Sequence, residues 1–167
     1  CINLVSPGEK ALVIRAGKFG ERFTEILSAF GAVVQNIDVP YGEAVSPKAV
    51  GDALDKDPAI KAVFTTLCET STGVEMDIKC IAALTAKHQA VLVVDAISGL
   101  GGCRLDTDGW GVDVVVSGSQ KGLMMPPGLA FLSLSPKAAK RVEEVKTPRY
   151  YFDLRYYRKA LEKDDTP

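Results

Sequence analysis

Residues 90–95 read AVLVVD, the most hydrophobic short run of the chain, and the run ends on a carboxylate. Two further runs follow it, DVVVS at residues 113–117 and LAFLSL at residues 129–134. All three are continuously apolar rather than alternating between apolar and polar residues. That pattern is typical of strands in a parallel sheet that helices cover on both faces. We therefore expect a mainly parallel sheet in this part of the chain.

The sequence before residue 90 repeats the same strand–helix alternation. Apolar runs predict strands at residues 10–15 (KALVIR), 32–39 (AVVQNIDV) and 62–66 (AVFTT). Apolar spacing and capping signals predict helices at residues 19–30, 48–54, 77–88 and 136–144. This order favours the α/β class, as a three-layer α/β/α fold. The loop between the last two strands is too short for a crossover helix, so one antiparallel neighbour is expected.

Composition indicates one globular domain and excludes several classes of partner. The 167 residues include 20 basic and 21 acidic side chains, and 47% of them are apolar. A balanced charge gives no electrostatic case for binding nucleic acid or an anionic membrane. No run approaches the roughly 18 apolar residues of a membrane span, and no secretory leader is recognisable. We expect a cytoplasmic protein.

The cysteines predict neither a metal site nor disulfides. Cys1, Cys68, Cys80 and Cys103 are far apart, no C-x-x-C motif occurs, and His88 is the only histidine. Buried free thiols are the expected state, and no metal is predicted.

Polar residues directly after the strands mark the expected ligand site. In parallel α/β sheets, ligands bind beyond the carboxyl ends of the strands. The residues in question are Phe19, the loop CETSTG at residues 68–73, Asp95, and SGSQKG at residues 117–122.

Asp95 and Lys121 are the two charged candidates. A carboxylate at the end of an apolar strand is costly without a partner, so Asp95 is a helix cap, half of an ion pair with Arg104 or Lys121, or a ligand-binding group. Lys121 precedes the apolar segment GLMMPPG, where a lysine is either snorkelling to solvent or functional. Burial or a nearby cation would lower the pKa of such a lysine and make it a nucleophile.

The neighbours of Lys121 suit an anion. Ser117, Ser119 and Gln120 supply hydroxyl and amide donors of the kind that bind a phosphate. A lysine and an aspartate across one ring are the pair that pyridoxal phosphate (PLP) needs. The lysine binds its aldehyde as a Schiff base, and the carboxylate keeps the pyridine nitrogen protonated. The pair alone is a weak signal, because many parallel sheets contain both residues.

Four segments together resemble the class V, fold type I aminotransferases, in particular the alanine–glyoxylate and serine–glyoxylate group. They are AGKFGERF (16–23), CETSTGVEMDI (68–78), VVDAISGLGG (93–102) and VSGSQKGLMMPPGLAFLS (116–133). The resemblance implies that Lys121 is the catalytic Schiff-base lysine and that Asp95 binds the pyridinium nitrogen. It implies transamination between an amino acid, alanine or serine, and an oxo acid, with glyoxylate the leading acceptor. It also implies a homodimer with the cofactor site near the interface.

The resemblance assigns further cofactor contacts. Phe19 would stack on the ring and Ile97 would pack on its other face. Thr70 would reach the phosphate or phenolic oxygen, and Gln120 and Ser119 complete the cofactor-binding set. Two of these residues also have a purely structural interpretation. Phe19 begins an amphipathic helix and could pack in the core, and Thr70 could cap the turn that leads to Val74.

The sequence also departs from the family. The family usually has T-H-x-E before the hydroxyl loop, whereas Leu67 occupies the histidine position here. The glycine-rich phosphate loop upstream and the domain with the carboxylate-binding arginine downstream have no counterpart. Residues 1–167 are therefore expected to be a portion of the PLP-binding large domain, with an N-terminal segment and a small C-terminal domain outside it.

Two other functions are compatible with the sequence. The first is cysteine desulfuration, although cysteine desulfurases of this fold have histidines at the positions of Gln120 and Phe19. A non-catalytic cofactor-domain fragment is the second, and Arg149 or Arg155 of the tail could replace the missing arginine or pack on a dimer partner. A nucleotide-binding domain is disfavoured because no G-x-G-x-x-G follows the first strand.

Overall fold

A computed structural model describes residues 1–166. The helices and strands follow one another as β1 (Lys10–Arg15), α1 (Lys18–Ala29), β2 (Val33–Asp38), α2 (Pro47–Lys56), β3 (Ile60–Thr66), β4 (Cys68–Glu69), β5 (Val74–Glu75), α3 (Ile78–Thr85), β6 (Val91–Asp95), α4 (Thr107–Trp110), β7 (Val114–Gly118), β8 (Ala130–Leu134), α5 (Pro136–Glu144) and α6 (Leu154–Glu162).

The main sheet has six strands in the order β2-β1-β3-β6-β7-β8. The first five are parallel, and β8 runs antiparallel to β7. Asp95, the last residue of β6, lies in register with Thr66 on one side and Val116 on the other. The carboxyl ends of β1, β3, β6 and β7 therefore meet at one edge of the sheet. This topology confirms the expected fold class and the single antiparallel neighbour.

Two hydrophobic clusters cover the two faces of the sheet. Leu12 and Ile14 of β1 pack with residues of α2 and α3, whereas Ala11 and Val13 pack with residues of α1 and α5. Alternate side chains of a strand point to opposite faces, so β1 is apolar along its whole length because both faces are buried. This arrangement is the three-layer fold that the continuous apolar runs predict.

Sequence signals locate most helix boundaries. Asp77 caps α3 by accepting a hydrogen bond from the N–H of Cys80 at 2.9 Å. The helix ends at Thr85, three residues before the predicted end. Proline stands in the first turn of α2 and of α5, as predicted.

The structure differs from the sequence predictions at four places. The loop CETSTG forms the β4–β5 hairpin, the short helix α4 follows Asp106, and α6 occupies the aromatic tail. The strand β8 is also not covered as expected: Ala130 to Ser133 are exposed, although the run is apolar. The reason is its position, because β8 is an edge strand and nothing within residues 1–166 covers either of its faces fully.

None of the helices in residues 1–166 has the length and the apolar character that crossing a bilayer requires. The four cysteines are free thiols, but none of them is buried: Cys80 is exposed and the other three are partly exposed. The expectation of buried thiols is therefore wrong.

Candidate active site

Asp95 lies half-buried at the carboxyl end of β6, in the middle of the sheet. Its Oδ1 accepts a hydrogen bond of 2.9 Å from the N–H of Ile97, which begins the following turn. The carboxylate forms no ion pair within residues 1–166, so neither Arg104 nor Lys121 is its salt-bridge partner. It does not cap a helix either. The two structural explanations for Asp95 are therefore absent from the described part of the chain.

The surroundings of Asp95 disfavour its charged form. Burial raises the pKa of the Asp95 carboxyl, and the negative charge of Glu69 raises it further. The N–H of Ile97 and the guanidinium of Arg22 act in the opposite direction. A raised pKa that comes from burial rather than from an ion pair marks Asp95 as a candidate functional group.

Lys121 lies on the loop that joins β7 to β8. The side chain is exposed and forms no ion pair in the part of the chain that the structure describes. Ser119 fixes the shape of this loop: its hydroxyl donates to the carbonyl of Pro126 at 2.6 Å and accepts from the N–H of Leu129 at 3.3 Å. The hydroxyl of Ser119 thus closes the loop from a buried position, whereas Gln120 beside Lys121 is exposed.

Glycines bring the loop of Lys121 against the loop that follows Asp95. A Cβ on Gly122 would lie well inside the van der Waals radius of the Leu100 carbonyl oxygen and 3.5 Å from the nitrogen of Gly102. A Cβ on Gly101 would lie 2.9 Å from the carbonyl oxygen of Gly122. Only two segments without side chains can approach this closely. The two loops that carry Asp95 and Lys121 are therefore in direct backbone contact.

Thr70 projects from the β4–β5 hairpin beside the same edge. Its hydroxyl is exposed and donates to the Ser98 hydroxyl at 2.7 Å, which in turn donates to the carbonyl of Cys68 at 3.0 Å. Ser98 thereby joins the hairpin to the loop that follows Asp95. Sequence reasoning did not identify Ser98, although its place three residues after Asp95 puts it in the same turn.

Phe19 lies in the first turn of α1, which follows β1. Its ring is half-buried and is not part of either hydrophobic cluster, and the guanidinium of Arg22 lies 5.1 Å from the ring centroid. Phe19 is therefore not a residue of the hydrophobic core. Arg22 was not predicted as a site residue, yet it contacts this ring and acts on the charge of Asp95.

Glu69 is the main residue that the sequence predictions missed. Its side chain is fully buried and accepts hydrogen bonds from the N–H groups of Phe19 and Gly20, 50 residues away in sequence. The available signal is indirect: α1 begins at Lys18, and the N-cap residue Gly17 has no side chain to cap the helix. A helix start without its own cap needs a partner from elsewhere in the chain.

Two residues offered as substitutes for the substrate-binding arginine have other roles. The Arg149 side chain is 1% exposed, and its guanidinium donates to the carbonyls of Val142, Val145 and Thr147 at the end of α5. Arg155 pairs with Asp153 at 2.5 Å. Both arginines are committed to local structure, so neither replaces the missing arginine within residues 1–166.

Within residues 1–166, no group of three or more His, Cys, Asp or Glu side chains is arranged to bind a metal ion. Leu67, where the related family usually has histidine, is a buried core residue, and a Cβ on Gly99 would lie 2.8 Å from its side chain.

The described residues fit PLP as a ligand in two respects. Asp95 is a strand-end carboxylate without a cationic partner in residues 1–166, which suits a protonated ring nitrogen. Lys121 supplies a free amine from a loop in backbone contact with the loop that follows Asp95. The first turn of α1, by contrast, is no site for the phosphate, because Glu69 and Ser71 already occupy its N–H groups.

Comparisons with known proteins show the family of the chain. The sequence model of the family described as aminotransferase class-V matches residues 2–156. The chain is 47% identical over 169 residues to the soluble hydrogenase 42 kDa subunit of Anabaena cylindrica, covering 99% of this chain and 44% of that protein. It is 43% identical over 157 residues to the L-aspartate–glyoxylate aminotransferase of Paracoccus denitrificans, covering 92% and 40% of the two chains.

A solved structure of a related aminotransferase has the same fold as this chain. The crystal structure of alanine–glyoxylate aminotransferase from Nostoc sp. superimposes with a TM-score of 0.92 at 30% identity, over 99% of this chain and 44% of that one. The chain thus spans less than half the length of the relatives it matches. These matches confirm the resemblance drawn from the four sequence segments, and the chain belongs to the class-V aminotransferase family.

Proposed function

We propose that the whole protein containing this chain is a PLP-dependent aminotransferase. The observation that carries the proposal is the contact between two loops: the one after Asp95, whose carboxylate has no cationic partner within residues 1–166, and the one that presents the free amine of Lys121. Membership of the class-V family supports the same reaction class. The residue roles proposed below come from the resemblance to the class V family.

Lys121 and Asp95 would hold the two ends of the reactive ring. PLP, when bound, supplies an electron sink that weakens the bonds at the α-carbon of an amino acid. Asp95 would accept a hydrogen bond from the ring nitrogen and keep that nitrogen protonated. Lys121 would hold the cofactor at its aldehyde carbon, and substrate binding would release its Nζ.

The released Nζ of Lys121 would then act as the general base. In its neutral form it would take the α-proton of the amino acid and return it to the cofactor carbon. An amine on a flexible side chain reaches both carbons, whereas Asp95 is fixed by its strand and its bond to Ile97. Lys121 is thus the proposed catalytic residue, and Asp95 an electrostatic one.

The remaining predicted residues would position the ring and the phosphate. Phe19 would stack on one ring face and Ile97 would pack on the other. The Thr70 hydroxyl would reach the phosphate or the phenolic oxygen, and the exposed amide of Gln120 would contact the phosphate. Ser119 was predicted to contact the cofactor directly. Its hydrogen bonds to Pro126 and Leu129 instead favour an indirect role in holding the loop.

Glyoxylate is the proposed amino acceptor. The Paracoccus and Nostoc relatives are both named for glyoxylate, while their amino donors differ, aspartate in one and alanine in the other. We propose alanine or serine as the donor. The printed name of the Anabaena relative, a hydrogenase subunit, belongs to that protein, and no feature of this site favours a hydrogenase function.

A substrate panel tests the proposal. The full-length protein would be incubated with PLP, glyoxylate and either alanine, serine or aspartate, and glycine formation measured. We expect turnover with at least one donor, loss of turnover in Lys121→Ala, and no change in Lys87→Ala, which alters an exposed lysine elsewhere. An active Lys121→Ala protein, or no turnover with any donor, would contradict the proposal.

Cysteine desulfuration is the alternative chemistry on this fold. That reaction needs an activated thiolate, whereas burial raises the pKa of the Cys103 thiol and favours its inert neutral form. Sulfide release from free cysteine, measured in the same assay, would support the alternative. A second alternative is a fragment that binds the cofactor without turnover, and robust amine transfer by residues 1–167 alone would exclude it.

We also propose that residues 1–167 are part of the large, PLP-binding domain, with an N-terminal segment and a small C-terminal domain elsewhere in the protein. The coverage of about 44% of the relatives and the uncovered faces of β8 support this division. A cytoplasmic homodimer remains the expected state of the whole protein. The exposed rings of Tyr150, Tyr151 and Phe152 are candidates for its interface.

A further inference from the structure

The first turn of α1 is capped entirely by another part of the chain. The N–H of Lys18 donates to the Ser71 hydroxyl at 3.0 Å, and the N–H of Phe19 donates to Glu69 Oε1 at 3.2 Å. The N–H of Gly20 donates to Glu69 Oε2 at 3.0 Å. The next N–H, that of residue 21, makes the first bond within the helix. Two side chains from the β4–β5 hairpin therefore take every free donor of this turn.

Burial, further hydrogen bonds and the glycine at position 17 all hold Glu69 in this position. It is fully buried, forms no ion pair within residues 1–166, and also accepts bonds from the N–H and the hydroxyl of Ser71, at 3.2 and 2.7 Å. The positive end of the α1 dipole offsets the cost of burying its carboxylate. Gly17 leaves space for it, since a Cβ there would lie 2.5 Å from Glu69 Cγ.

The same bonds join two walls of the proposed cofactor site. Phe19, whose N–H binds Glu69, is the residue proposed to stack on the ring. Thr70, between Glu69 and Ser71, carries the hydroxyl proposed to reach the cofactor's oxygen atoms. These two residues follow different strands, β1 and β3, and Glu69 fixes the distance between their backbones.

We propose that Glu69 is a positioning residue that holds Phe19 and Thr70 as one rigid unit, so that ring stacking and hydroxyl placement are set together by one buried carboxylate. This inference rests on the proposed function. Without Glu69 the start of α1 would separate from the hairpin, and the ring would lose its fixed orientation. A purely structural cap would change the stability of the fold and leave the bound cofactor as it is.

The Glu69→Gln variant of the full-length protein tests the proposal. Glutamine keeps the size of the side chain, but its NH2 group would face one of the N–H donors of Phe19 and Gly20. One of the two hydrogen bonds from Glu69 to the start of α1 is therefore lost. We expect PLP to bind about tenfold more weakly in a spectral titration. We also expect altered visible circular dichroism, which arises from the orientation of an achiral ring in a chiral site. Glu75→Gln, on the same hairpin but exposed, is the matched control and should change neither quantity.

The possible results separate the inference on Glu69 from the proposed function. If Glu69→Gln lowers the unfolding midpoint but leaves PLP affinity within about twofold and the dichroism unchanged, Glu69 only stabilises the fold and the inference is wrong. If Glu69→Gln does not fold, Ser71→Ala decides. It removes the hydroxyl of an exposed residue, and with it the hydrogen bonds to the N–H of Lys18 and to Glu69 Oε1. It should weaken PLP binding about threefold, and unchanged binding overturns the inference. A wild-type protein that binds no PLP would overturn the proposed function as well.

Discussion

At the residue scale, the Asp95 carboxylate destabilises the folded protein in its charged form. It is half-buried, and its pKa is raised by burial and by the charge of Glu69. Within residues 1–166, the N–H of Ile97 is the only backbone donor to it. Because the folded-state pKa lies above the unfolded value, the charged form is penalised in the folded protein at neutral pH. The penalty disappears as the pH falls through the raised pKa. A ring cation bound beside the carboxylate would remove the penalty at neutral pH.

Asp95→Asn should therefore stabilise the cofactor-free, full-length protein while weakening its affinity for PLP. Asparagine can still accept the bond from Ile97 but carries no charge. We expect a gain on the order of 1 kcal/mol at neutral pH, which shrinks at acidic pH where Asp95 is protonated in the wild type. Urea unfolding at several pH values measures it. Asp108→Asn, at an exposed aspartate, serves as control, and a variant no more stable than wild type at neutral pH would refute this explanation.

At the element scale, glycines bring the loop that follows Asp95 against the loop that carries Lys121. The strands β6 and β7 set the two residues on neighbouring strand ends, but the loops themselves meet only because Gly122 and Gly101 lack side chains. Such backbone contact leaves no room for adjustment by rotamer changes. A substitution at this contact must move one of the loops.

Gly122→Ala should separate the two loops and impair both stability and cofactor binding. The added methyl group would overlap the carbonyl of Leu100, and overpacking of this kind costs about 1–3 kcal/mol. The matched control is Gly102→Ala, where the nearest atom to the added Cβ lies 3.7 Å away. Unfolding midpoints and PLP titrations of the full-length variants compare the two. Equal effects of the two substitutions would argue against the loop contact.

Periodicity and strand-end position predict the elements whose signals are local. The run at residues 90–95 is β6 within one residue, and Asp95 and Lys121 lie after neighbouring strands as expected. The sequence pattern does not predict the helix α6, because its nine residues include four charged side chains and two tyrosines. The packing of this helix depends on α5 and the N-terminal residues. The β4–β5 hairpin was missed because two-residue strands carry no periodicity.

The role of Glu69 could not be predicted from local sequence at all. Its bonds to Phe19 and Gly20 join positions about 50 residues apart, and only the parallel order of β1 and β3 brings them together. The same holds for the link between Thr70 and Ser98. Residue types at strand ends thus indicate which chemistry is present, whereas the supporting contacts require the tertiary structure.

At the scale of the whole molecule, the strand β8 has apolar side chains that no other segment of residues 1–166 covers. Phe131 is 43% exposed and Leu132 is 44% exposed, although they lie on opposite faces of one strand. The strand pairs with β7 along one edge only. An apolar edge strand left in this state favours aggregation. The proposed division into a large-domain portion and further segments predicts that other parts of the protein cover β8.

Phe131→Asp should strongly destabilise the full-length protein if those parts cover β8. A charge placed in a buried contact costs about 2 kcal/mol or more, whereas exposed substitutions stay within about 0.5 kcal/mol. Phe30→Asp, at a phenylalanine that is 46% exposed at the end of α1, is the control. Urea unfolding of both variants gives the comparison. A small and equal effect of both would mean that β8 stays open in the whole protein.

The role of Lys121 can be measured directly by reductive trapping. Borohydride treatment of the full-length, PLP-loaded protein would fix the cofactor to whichever amine holds it, and peptide mass mapping would locate the adduct. The adduct is predicted on the peptide that contains Lys121, and it should be absent when substrate amino acid has displaced the lysine before reduction. An adduct on a different lysine, or none on the loaded protein, would contradict the assignment on which the proposed mechanism depends.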